Sequence, residues 1–465
     1  MRMRTISPTI ILCLLVGTEQ RALAAGKPSV SVGPNVQVSR ANARVPHAEV
    51  VIAADPTRPE HLLAASMLAA EEGAKEESRV VVYSSSDGGR TWAVSFEPSA
   101  KADPALAFGP DGTAHLAVIA PEGEDKFRIL VFRLAHGGQQ WQRITGGDRF
   151  SLDRPFLAVG QAGPGRGTLY LSGTGGERTA RSNSRPAVHR SEGEHGLEPV
   201  AAWDPDHIQA GDNYANGSLV VLSDGTVVTS YPCMPFAGWK DSIKPVLSAG
   251  WKVGLTPTGF ECELLVRRIA VGGRLLEGQA PVQPHYLHAS LPAMASDAGE
   301  GRHKDRVYLT WSQWDEVGRR VMLSRSEDRG AHWSEPVPLS EQPAEGAGYH
   351  AFLPAVAVNK AGVVAVSWYD TRERDRIGKP AWDLRLRVSA DGGRAWQPSV
   401  RVTSQTSVFS GEDPEEEHRR IRRPLWLGDT AGLCADADGA FHPLWIDNRT
   451  GERQVWTAAV HVGAE

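Results

Sequence analysis

The stretch Ser85-Ser86-Asp87-Gly88-Gly89-Arg90-Thr91-Trp92 fits the pattern S-x-D-x-G-x-T-W in full. Two later stretches, 326–333 and 389–396, fit it except at the Thr position, and 136–141 is a weaker copy. The Asp carboxylate of such a turn can accept backbone hydrogen bonds, and glycine supplies the positive φ of a tight hairpin. We therefore predict a structural role for the residues of the pattern, which are Ser85, Asp87, Gly89, Thr91 and Trp92; Ser326, Asp328, Gly330 and Trp333; and Ser389, Asp391, Gly393 and Trp396.

These turns belong to a longer unit that recurs along the chain. In its clearest copy an apolar strand (353–358) is followed by a glycine turn (359–362) and by a second apolar strand that ends in aromatic residues (363–369). The apolar alternation and the turn residues predict antiparallel hairpins. Including this copy there are seven, and the other six begin near Glu49, Ala105, Phe156, Ser218, Leu291 and Ala431.

The turn pattern resembles the Asp-box, or BNR repeat, of bacterial secreted sialidase-like proteins. The segments 153–159, 367–372 and 443–449 also resemble that family. The resemblance implies an all-β fold: a single β-propeller of four-stranded blades over residues 25–465. We expect seven blades, with the six of sialidases as the alternative. The last unit supplies only three strands, so we expect residues 30–38 to add the fourth and to close the ring.

The N-terminus predicts a cleavable signal peptide over residues 1–24, with Arg2 and Arg4 before a short apolar core and an A-x-A site at 22–24. The mature protein would be secreted or periplasmic; an uncleaved membrane anchor is the alternative. Cys233 and Cys262 flank an inserted loop (233–262), and we expect them to form a disulfide, the alternative being two free thiols. Cys434 would be a small core residue.

Composition excludes several classes of function. The chain has 465 residues, 50 Lys+Arg against 55 Asp+Glu and a formal net charge of −5, without a basic block. Nucleic-acid binding is therefore not expected. No apolar run is long enough to span a membrane, and no Cys/His cluster has the spacing of a zinc site. We expect a monomer without metal or cofactor, with a glycan or glycoconjugate as its substrate.

Loops that join strand two to three, and each unit to the next, meet on one face of a propeller. These loops carry Arg44, His47, Glu49, Asp103, Asp153, Arg154, Asp212, Tyr214, His285, Tyr286, His288, Asp315, Tyr349, His350, Asp370, Arg372, Asp429, Asp447 and Arg449. A long loop between the last two units (403–430) holds a run of acidic and then basic residues. It is interpreted as a solvated loop, or as a lid over this face.

The sialidase resemblance implies an arginine cluster that holds a substrate carboxylate, a tyrosine nucleophile and an aspartate acid/base. The candidates are the arginines Arg154, Arg372 and Arg449, the tyrosines Tyr349 and Tyr369, and the acids Asp103 and Asp153. The expected function is a secreted glycoside hydrolase acting on sialic-acid-like or other acidic glycans. Two alternatives stay open: structural Asp–Arg pairs, and a non-catalytic propeller that binds a glycan or a protein. The F-R-I-P element of sialidases is matched only by 44–46, with Ala43 at the aromatic position.

Overall fold

The computed structural model of the chain is all-β. It describes residues 29–69, 78–121, 127–144, 152–175, 185–191, 196–202, 213–214, 217–234, 261–276, 280–288, 291–315, 318–341, 349–373, 377, 381–408 and 427–463. Two short 3-10 helices, Arg40–Asn42 and Gly163–Gly165, accompany the strands. No helix within these ranges is long and apolar enough to cross a membrane.

The first half of the chain forms three antiparallel sheets of four strands, each hydrogen-bonded in chain order. Two short strands precede them, β1 (Ser29–Val32) and β2 (Val36–Gln37). The three sheets are β3 (His47–Ala54), β4 (Leu62–Leu68), β5 (Arg79–Ser85) and β6 (Ala93–Phe96); β7 (Ala102–Phe108), β8 (Ala114–Pro121), β9 (Phe127–Leu134) and β10 (Trp141–Arg143); and β11 (Leu152–Val159), β12 (Leu169–Gly175), β13 (Arg185–Ser191) and β14 (Glu198–Ala202).

The second half forms a 14-stranded sheet and, together with β1 and β2, a six-stranded sheet. The large sheet contains β15 (Asn213–Tyr214), β16 (Leu219–Val221), β17 (Val227–Met234), β18 (Glu261–Ile269), β19 (Ala280–His288), β20 (Ala293–Ser296), β21 (Val307–Asp315), β22 (Gly318–Ser326), β23 (Val337–Pro338), β24 (Tyr349–Val358), β25 (Val364–Asp370), β26 (Ala381–Ser389), β27 (Val400–Arg401) and β28 (Ser407–Val408). The last sheet adds β29 (Gly432–Ala435), β30 (Phe441–Asp447), β31 (Gln454–Thr457) and β32 (Val460–Gly463).

The first strands of successive units pack side by side around an axis. Contacts run from β3 to β7, β11, β16, β20, β24 and β29 in turn, and β29 contacts β3 again. The architecture is therefore a β-propeller with four-stranded blades. The described strands form five separate hydrogen-bonded sheets, so the number of sheets does not confirm the expected seven blades.

The N-terminal segment joins the last sheet, with two short strands where the sequence predicts one. Strand β1 pairs antiparallel with β32, and β2 pairs antiparallel with β31. The Val38 N–H donates to the Val455 carbonyl oxygen at 2.8 Å. The Ser39 hydroxyl donates to Gln454 Oε1 at 2.7 Å and accepts from the Val455 N–H at 2.9 Å. The first and last described segments thus share one sheet.

The three S-x-D-x-G-x-x-W turns share one hydrogen-bond pattern. In the first, Asp87 Oδ1 accepts from the Ser85 hydroxyl (2.8 Å) and from the Thr91 N–H (2.9 Å). The Gly89 N–H donates to Ser85 Oγ at 2.9 Å, and Trp92 Nε1 donates to the Gly89 carbonyl at 3.0 Å. The equivalent bonds join Ser326, Asp328, Gly330, His332 and Trp333 in the second turn, and Ser389, Asp391, Gly393, Ala395 and Trp396 in the third.

Several sequence predictions fall outside the described residues. They are the signal peptide (1–24), most of the inserted loop (235–260) and most of the long inter-blade loop (409–426). The strand register places Glu263, rather than Cys262, opposite Cys233. The side chains of Cys233 and Cys262 lie outside the described residues, so their disulfide stays a prediction. Cys434 is a half-buried free cysteine on β29.

Candidate functional site

Four innermost strands share an unusual backbone feature near their N-terminal ends. Glu49, Asp103, Arg154 and Leu353 have φ of +54°, +51°, +52° and +48°. Each lies at a break in the register with the next strand. A left-handed residue that is not glycine is strained, and a bulge redirects the side chains beside it. Each of the strands β3, β7, β11 and β24 therefore has one strained position. Three of these positions carry ionisable side chains.

The three charged residues line one pocket between the innermost strands. Its cavity is about 20 Å³, room for about one water molecule. The polar lining residues are Glu49, Asp103, Arg154, Asp429 and Thr430, and the apolar ones are Pro104, Pro155, Phe156 and Leu291. The pocket is thus assembled from β3, β7 and β11 together with the segments that precede β20 and β29.

Glu49 is the most deeply buried acid of the pocket, at 3% exposure. Its carboxylate accepts a hydrogen bond of 2.9 Å from the backbone N–H of Asp103, and its own N–H donates to the Leu427 carbonyl at 3.1 Å. Burial raises the pKa of Glu49 well above its usual value, and the charge and side-chain hydrogen bond of Asp103 and the charge of Asp429 raise it further. The raised pKa of Glu49 favours its protonated form, in which a carboxyl group can donate a proton.

Arg154 and Asp429 form an ion pair at the more open side of the pocket. Their side chains are 32% and 29% exposed. Asp429 lies directly after Gly428, at which a Cβ atom would come within 2.3 Å of the Glu49 nitrogen. Glycine is therefore the residue that lets this segment approach β3 closely.

Arg372 lies away from the pocket and is held by its neighbour Asp370. Its Nε and Nη2 donate to Asp370 Oδ1 and Oδ2 at 2.8 and 2.9 Å, and its N–H donates to Oδ1 at 3.0 Å. The same carboxylate, which is fully buried, accepts from Trp368 Nε1 at 3.3 Å. The guanidinium therefore closes a local W-x-D-x-R clamp that covers a buried acid.

Arg449 repeats this arrangement in the last sheet. Its Nε donates to Asp447 Oδ2 at 2.9 Å, its Nη2 bonds the same oxygen, and Trp445 Nε1 donates to that oxygen at 3.3 Å. The guanidinium also stacks over the Trp456 ring, 4.3 Å from its centroid. Of the three candidate arginines only Arg154 reaches the central pocket, so the expected arginine cluster is not assembled there. Arg372 and Arg449 form the local Asp–Arg pairs that were the structural alternative.

The structure places the other candidates as follows. Tyr369 is fully buried, its hydroxyl accepts from the Ile446 N–H at 2.7 Å, and burial raises its pKa. It stacks on Phe352 with ring centroids 5.4 Å apart, so it packs between sheets rather than facing the pocket. The side chains of Tyr349 and Asp153 lie outside what the structure describes. Asp103 lies in the pocket, as expected.

The sequence carries a signal for two chosen candidates of the pocket, but not for the two pocket acids that were not chosen. Asp103 and Arg154 each precede a proline at the start of a first strand. Glu49 and Asp429 occupy the matching inter-unit loops without that proline, and were recognised only as charged loop residues. Within the described part of the chain, no group of three or more His, Cys, Asp or Glu side chains could hold a metal ion.

Comparisons with known proteins give fold-level likenesses only. No protein-family model and no curated protein matches the chain. An α-L-arabinanase of Penicillium chrysogenum aligns at 15% identity and TM-score 0.48, over 73% of this chain and 94% of that one. A protein of unknown function from Dyadobacter fermentans aligns at 13% and 0.48, over 94% and 100%. A Hadza microbial sialidase aligns at 14% and 0.44, over 83% and 74%. At these identities and TM-scores, no functional residue or substrate transfers to this chain.

Proposed function

We propose that the protein is a glycoside hydrolase whose reaction takes place in the central pocket. The observation that carries this proposal is the hydrogen-bonded pair of Glu49 and Asp103. Most glycosidases use one protonated carboxyl group to donate a proton to the leaving oxygen and a second carboxylate to assist the attack at the sugar carbon. Glu49, buried and with a raised pKa, suits the first role. We assign the second role to Asp103, whose side chain would have to leave its hydrogen bond with Glu49 to reach the separation of roughly 5–9.5 Å that such carboxyl pairs have.

The proton balance of this reaction follows from the two acids. Glu49 gives its proton to the glycosidic oxygen as the carbon–oxygen bond breaks. Asp103 receives a proton from the attacking water, or first bonds to the sugar carbon and is then released by water. Both routes end with one proton returned to the acid pair. Arg154, paired with Asp429 at the more open side, can donate hydrogen bonds to substrate hydroxyls.

We also propose the finer features that the sequence predicts. The ring of first strands, which returns from β29 to β3, supports seven blades, with the 14-stranded sheet counted as three blades in series. The shared hydrogen bonds of the three turns support their assignment as Asp-boxes. The N-terminal sequence supports cleavage after residue 24 and a secreted or periplasmic location. The sialidase-like assignment rests on the turn pattern.

The sequence-based hypothesis of a sialic-acid-like or other acidic substrate depends on arginines that are able to accept a carboxylate. Among the described residues of the pocket, Arg154 alone could do so, and Asp429 already pairs with it. An acidic substrate would therefore have to displace Asp429 from Arg154.

The test is hydrolysis of a panel of fluorogenic and chromogenic glycosides, with Glu49→Gln and Asp103→Asn as the active-site variants. General acid–base catalysis contributes roughly 10²–10⁴ in rate, so each variant should lose at least 100-fold in kcat/KM. Asp87→Asn, in a surface turn, is the control and should keep wild-type turnover. Equal activity of Glu49→Gln and the wild type would refute the role of Glu49.

A non-catalytic glycan-binding or protein-binding propeller is the second candidate. The observation that favours it is the depth of Glu49, whose 3% exposure leaves little room for a leaving group to reach it. Such a protein would bind sugars on a glycan array and release no product from the glycoside panel. Its binding would also survive the Glu49→Gln change.

A further inference from the structure

The pocket lies on the axis around which the first strands are arranged. Its lining includes one residue near the start of the first strand in each of five different units, namely Glu49, Asp103, Arg154, Leu291 and Asp429. The first strands contact one another in order around a closed ring. A cavity of about 20 Å³ touches five members of such a ring only if it lies near the centre, so side chains from five units meet at the axis.

The backbone of three of these units directs ionisable side chains to the cavity. Glu49, Asp103 and Arg154 have φ of +54°, +51° and +52°, each at a break in the strand register. A bulge of this kind re-aims the side chain beside it. Three neighbouring units thus keep an unfavourable backbone conformation with a shared result, which is that polar groups line one small space on the axis.

The cavity has the size and the lining of a site for one water molecule. A volume of about 20 Å³ exceeds the roughly 10–15 Å³ that a single water needs, and a buried water is held where two to four polar groups can bond to it. The ionisable side chains of Glu49, Asp103, Arg154 and Asp429 line this space. Water is therefore the ligand whose size and hydrogen bonding fit the cavity.

The depth of Glu49 separates its carboxyl group from a bound sugar. Its side chain is 3% exposed, and Gly428 packs so closely that a Cβ atom there would lie 2.8 Å from Glu49 Cγ. The same cavity is also lined by Arg154 and Asp429, whose side chains are about one-third exposed. A general acid must reach the oxygen that it protonates either directly or through one water, and a buried acid beside a one-water cavity fits the second arrangement.

Resting on the hydrolase function proposed above, we propose that the cavity binds one water molecule and that this water relays the proton of Glu49 to the substrate. The carboxyl O–H bond breaks as the water oxygen takes up the proton. The water releases another of its protons to the glycosidic oxygen as the bond from that oxygen to the sugar carbon breaks. The water is thus regenerated, Glu49 is left as a carboxylate, and the sugar lies outside the cavity, beside Arg154 and Asp429.

The water site is tested by high-resolution crystal structures of the wild type, Leu291→Phe and Leu353→Phe. Leu291 lines the cavity. Leu353 also precedes a proline at the start of a first strand but is not among the described lining residues, so it provides the matched control. The wild type and Leu353→Phe should each show one water within hydrogen-bond distance of the Glu49 carboxyl group, and Leu291→Phe, with a larger ring at the cavity, should show none. A wild-type cavity that is dry or holds a metal ion overturns the proposal.

The relay is tested by kinetics in mixtures of H₂O and D₂O, on the cleaved glycoside that shows the largest solvent isotope effect. Two protons move when a water lies between the acid and the leaving oxygen, and one moves when the two are in contact. The wild-type kcat should therefore fall along a curve, rather than a straight line, as the fraction of D₂O rises. A straight line overturns the relay.

The two leucine variants add a second kinetic readout. Leu291→Phe should lower kcat by roughly 100-fold, the lower end of what general acid–base catalysis contributes, and leave KM nearly unchanged, whereas Leu353→Phe should keep both wild-type values. Wild-type kcat in a Leu291→Phe protein whose crystals lack the water overturns the relay as well. The wild-type crystal and the wild-type isotope curve decide the proposal even if Leu291→Phe does not fold.

Failure of the hydrolase function and failure of the relay can be told apart. If no glycoside is cleaved, the hydrolase function is rejected and the relay with it, while the water site is judged by the crystal structures. If glycosides are cleaved, Glu49→Gln is inactive and the isotope curve is straight, Glu49 acts on the substrate by direct contact, and the relay is rejected while the hydrolase function stands.

Discussion

The backbone N–H of Asp103 donates a hydrogen bond of 2.9 Å to Oε2 of Glu49. The bond joins equivalent left-handed positions on two neighbouring first strands, β3 and β7. Strain of this kind costs on the order of 1–3 kcal/mol for each residue, and the rest of the fold must offset it. An acid pair on strained backbone, with Glu49 buried and Asp103 half-buried, is a poor arrangement for stability and a suitable one for proton transfer.

Replacing Glu49 should therefore change how stability depends on pH. The ordinary pKa of a glutamate is 4.5, and that of Glu49 in the folded protein is raised well above it. Above pH 4.5 the folded state binds more protons than the unfolded state, so the free energy of unfolding falls as pH rises towards the folded pKa. Glu49→Gln removes this loss, and its stability relative to the wild type should increase from pH 4 to pH 7.

Urea unfolding of both proteins at pH 4 and pH 7 measures this effect, and Glu300→Gln, an exposed glutamate on a loop, serves as the control. The control should track the wild type at both pH values. A constant difference between Glu49→Gln and the wild type over this range would show that Glu49 is not protonated in the folded state.

Replacing Arg372 should lower stability and keep activity, and replacing Arg154 should lower activity and keep stability. Arg372→Ala leaves the buried carboxylate of Asp370 without its ion-pair partner, and breaking a buried pair from one side costs about 3–5 kcal/mol. Its melting temperature should fall while kcat/KM, measured well below that temperature, is kept. Arg154→Ala should do the reverse, because its ion pair with Asp429 is about one-third exposed and the side chain faces the pocket. Loss of turnover in a fully folded Arg372→Ala protein would contradict this division.

The sequence predicts the fold well because the repeated turns are local. Within one turn, Asp87 bonds to Ser85 and Thr91, two and four residues away, and such contacts can be read from spacing alone. Local spacing also explains why Arg372 and Arg449 do not reach the pocket. Arg372 follows Asp370 by two residues, as Arg449 follows Asp447, and this spacing lets each arginine bond its neighbour before any distant group.

The acid pair of the pocket was harder to predict because it forms between distant segments. Glu49, Asp103 and Asp429 come together only when the ring of strands closes. Sequence placed all three on the same set of loops but could not tell which side chain is buried. That distinction depends on the approach of Leu427 and Gly428 to β3, which no local pattern encodes.

Removal of the residues before 40 should destabilise the whole propeller. It removes β1 and β2, which pair with β32 and β31, and Ser39, whose hydroxyl bonds to Gln454 and Val455. The last sheet would then expose an unpaired edge along two strands. The melting temperature should fall markedly relative to a chain that begins at residue 25, which keeps every described contact. Equal melting temperatures for the two chains would show that closure by this segment contributes nothing.

Arg329 occupies a left-handed position at which the other two turns have glycine. Its φ is +62°, against +71° for Gly88 and +75° for Gly392. Two ion pairs compensate the strain: Arg329 Nη2 lies 2.9 Å from Asp305 and Nη1 lies 3.1 Å from Asp224. Both Arg329→Gly and Arg329→Ala remove these pairs and differ only in backbone freedom.

Because a residue with a Cβ costs about 1–2 kcal/mol in this conformation and glycine does not, Arg329→Gly should be the more stable of the two variants by about 1 kcal/mol. Chemical unfolding of both proteins beside the wild type measures the difference. Arg329→Ala should be the least stable of the three, since it keeps the strain and loses both pairs. If the two variants unfold at the same denaturant concentration, the left-handed backbone of this turn is not a source of strain, and the ion pairs alone account for arginine at this position.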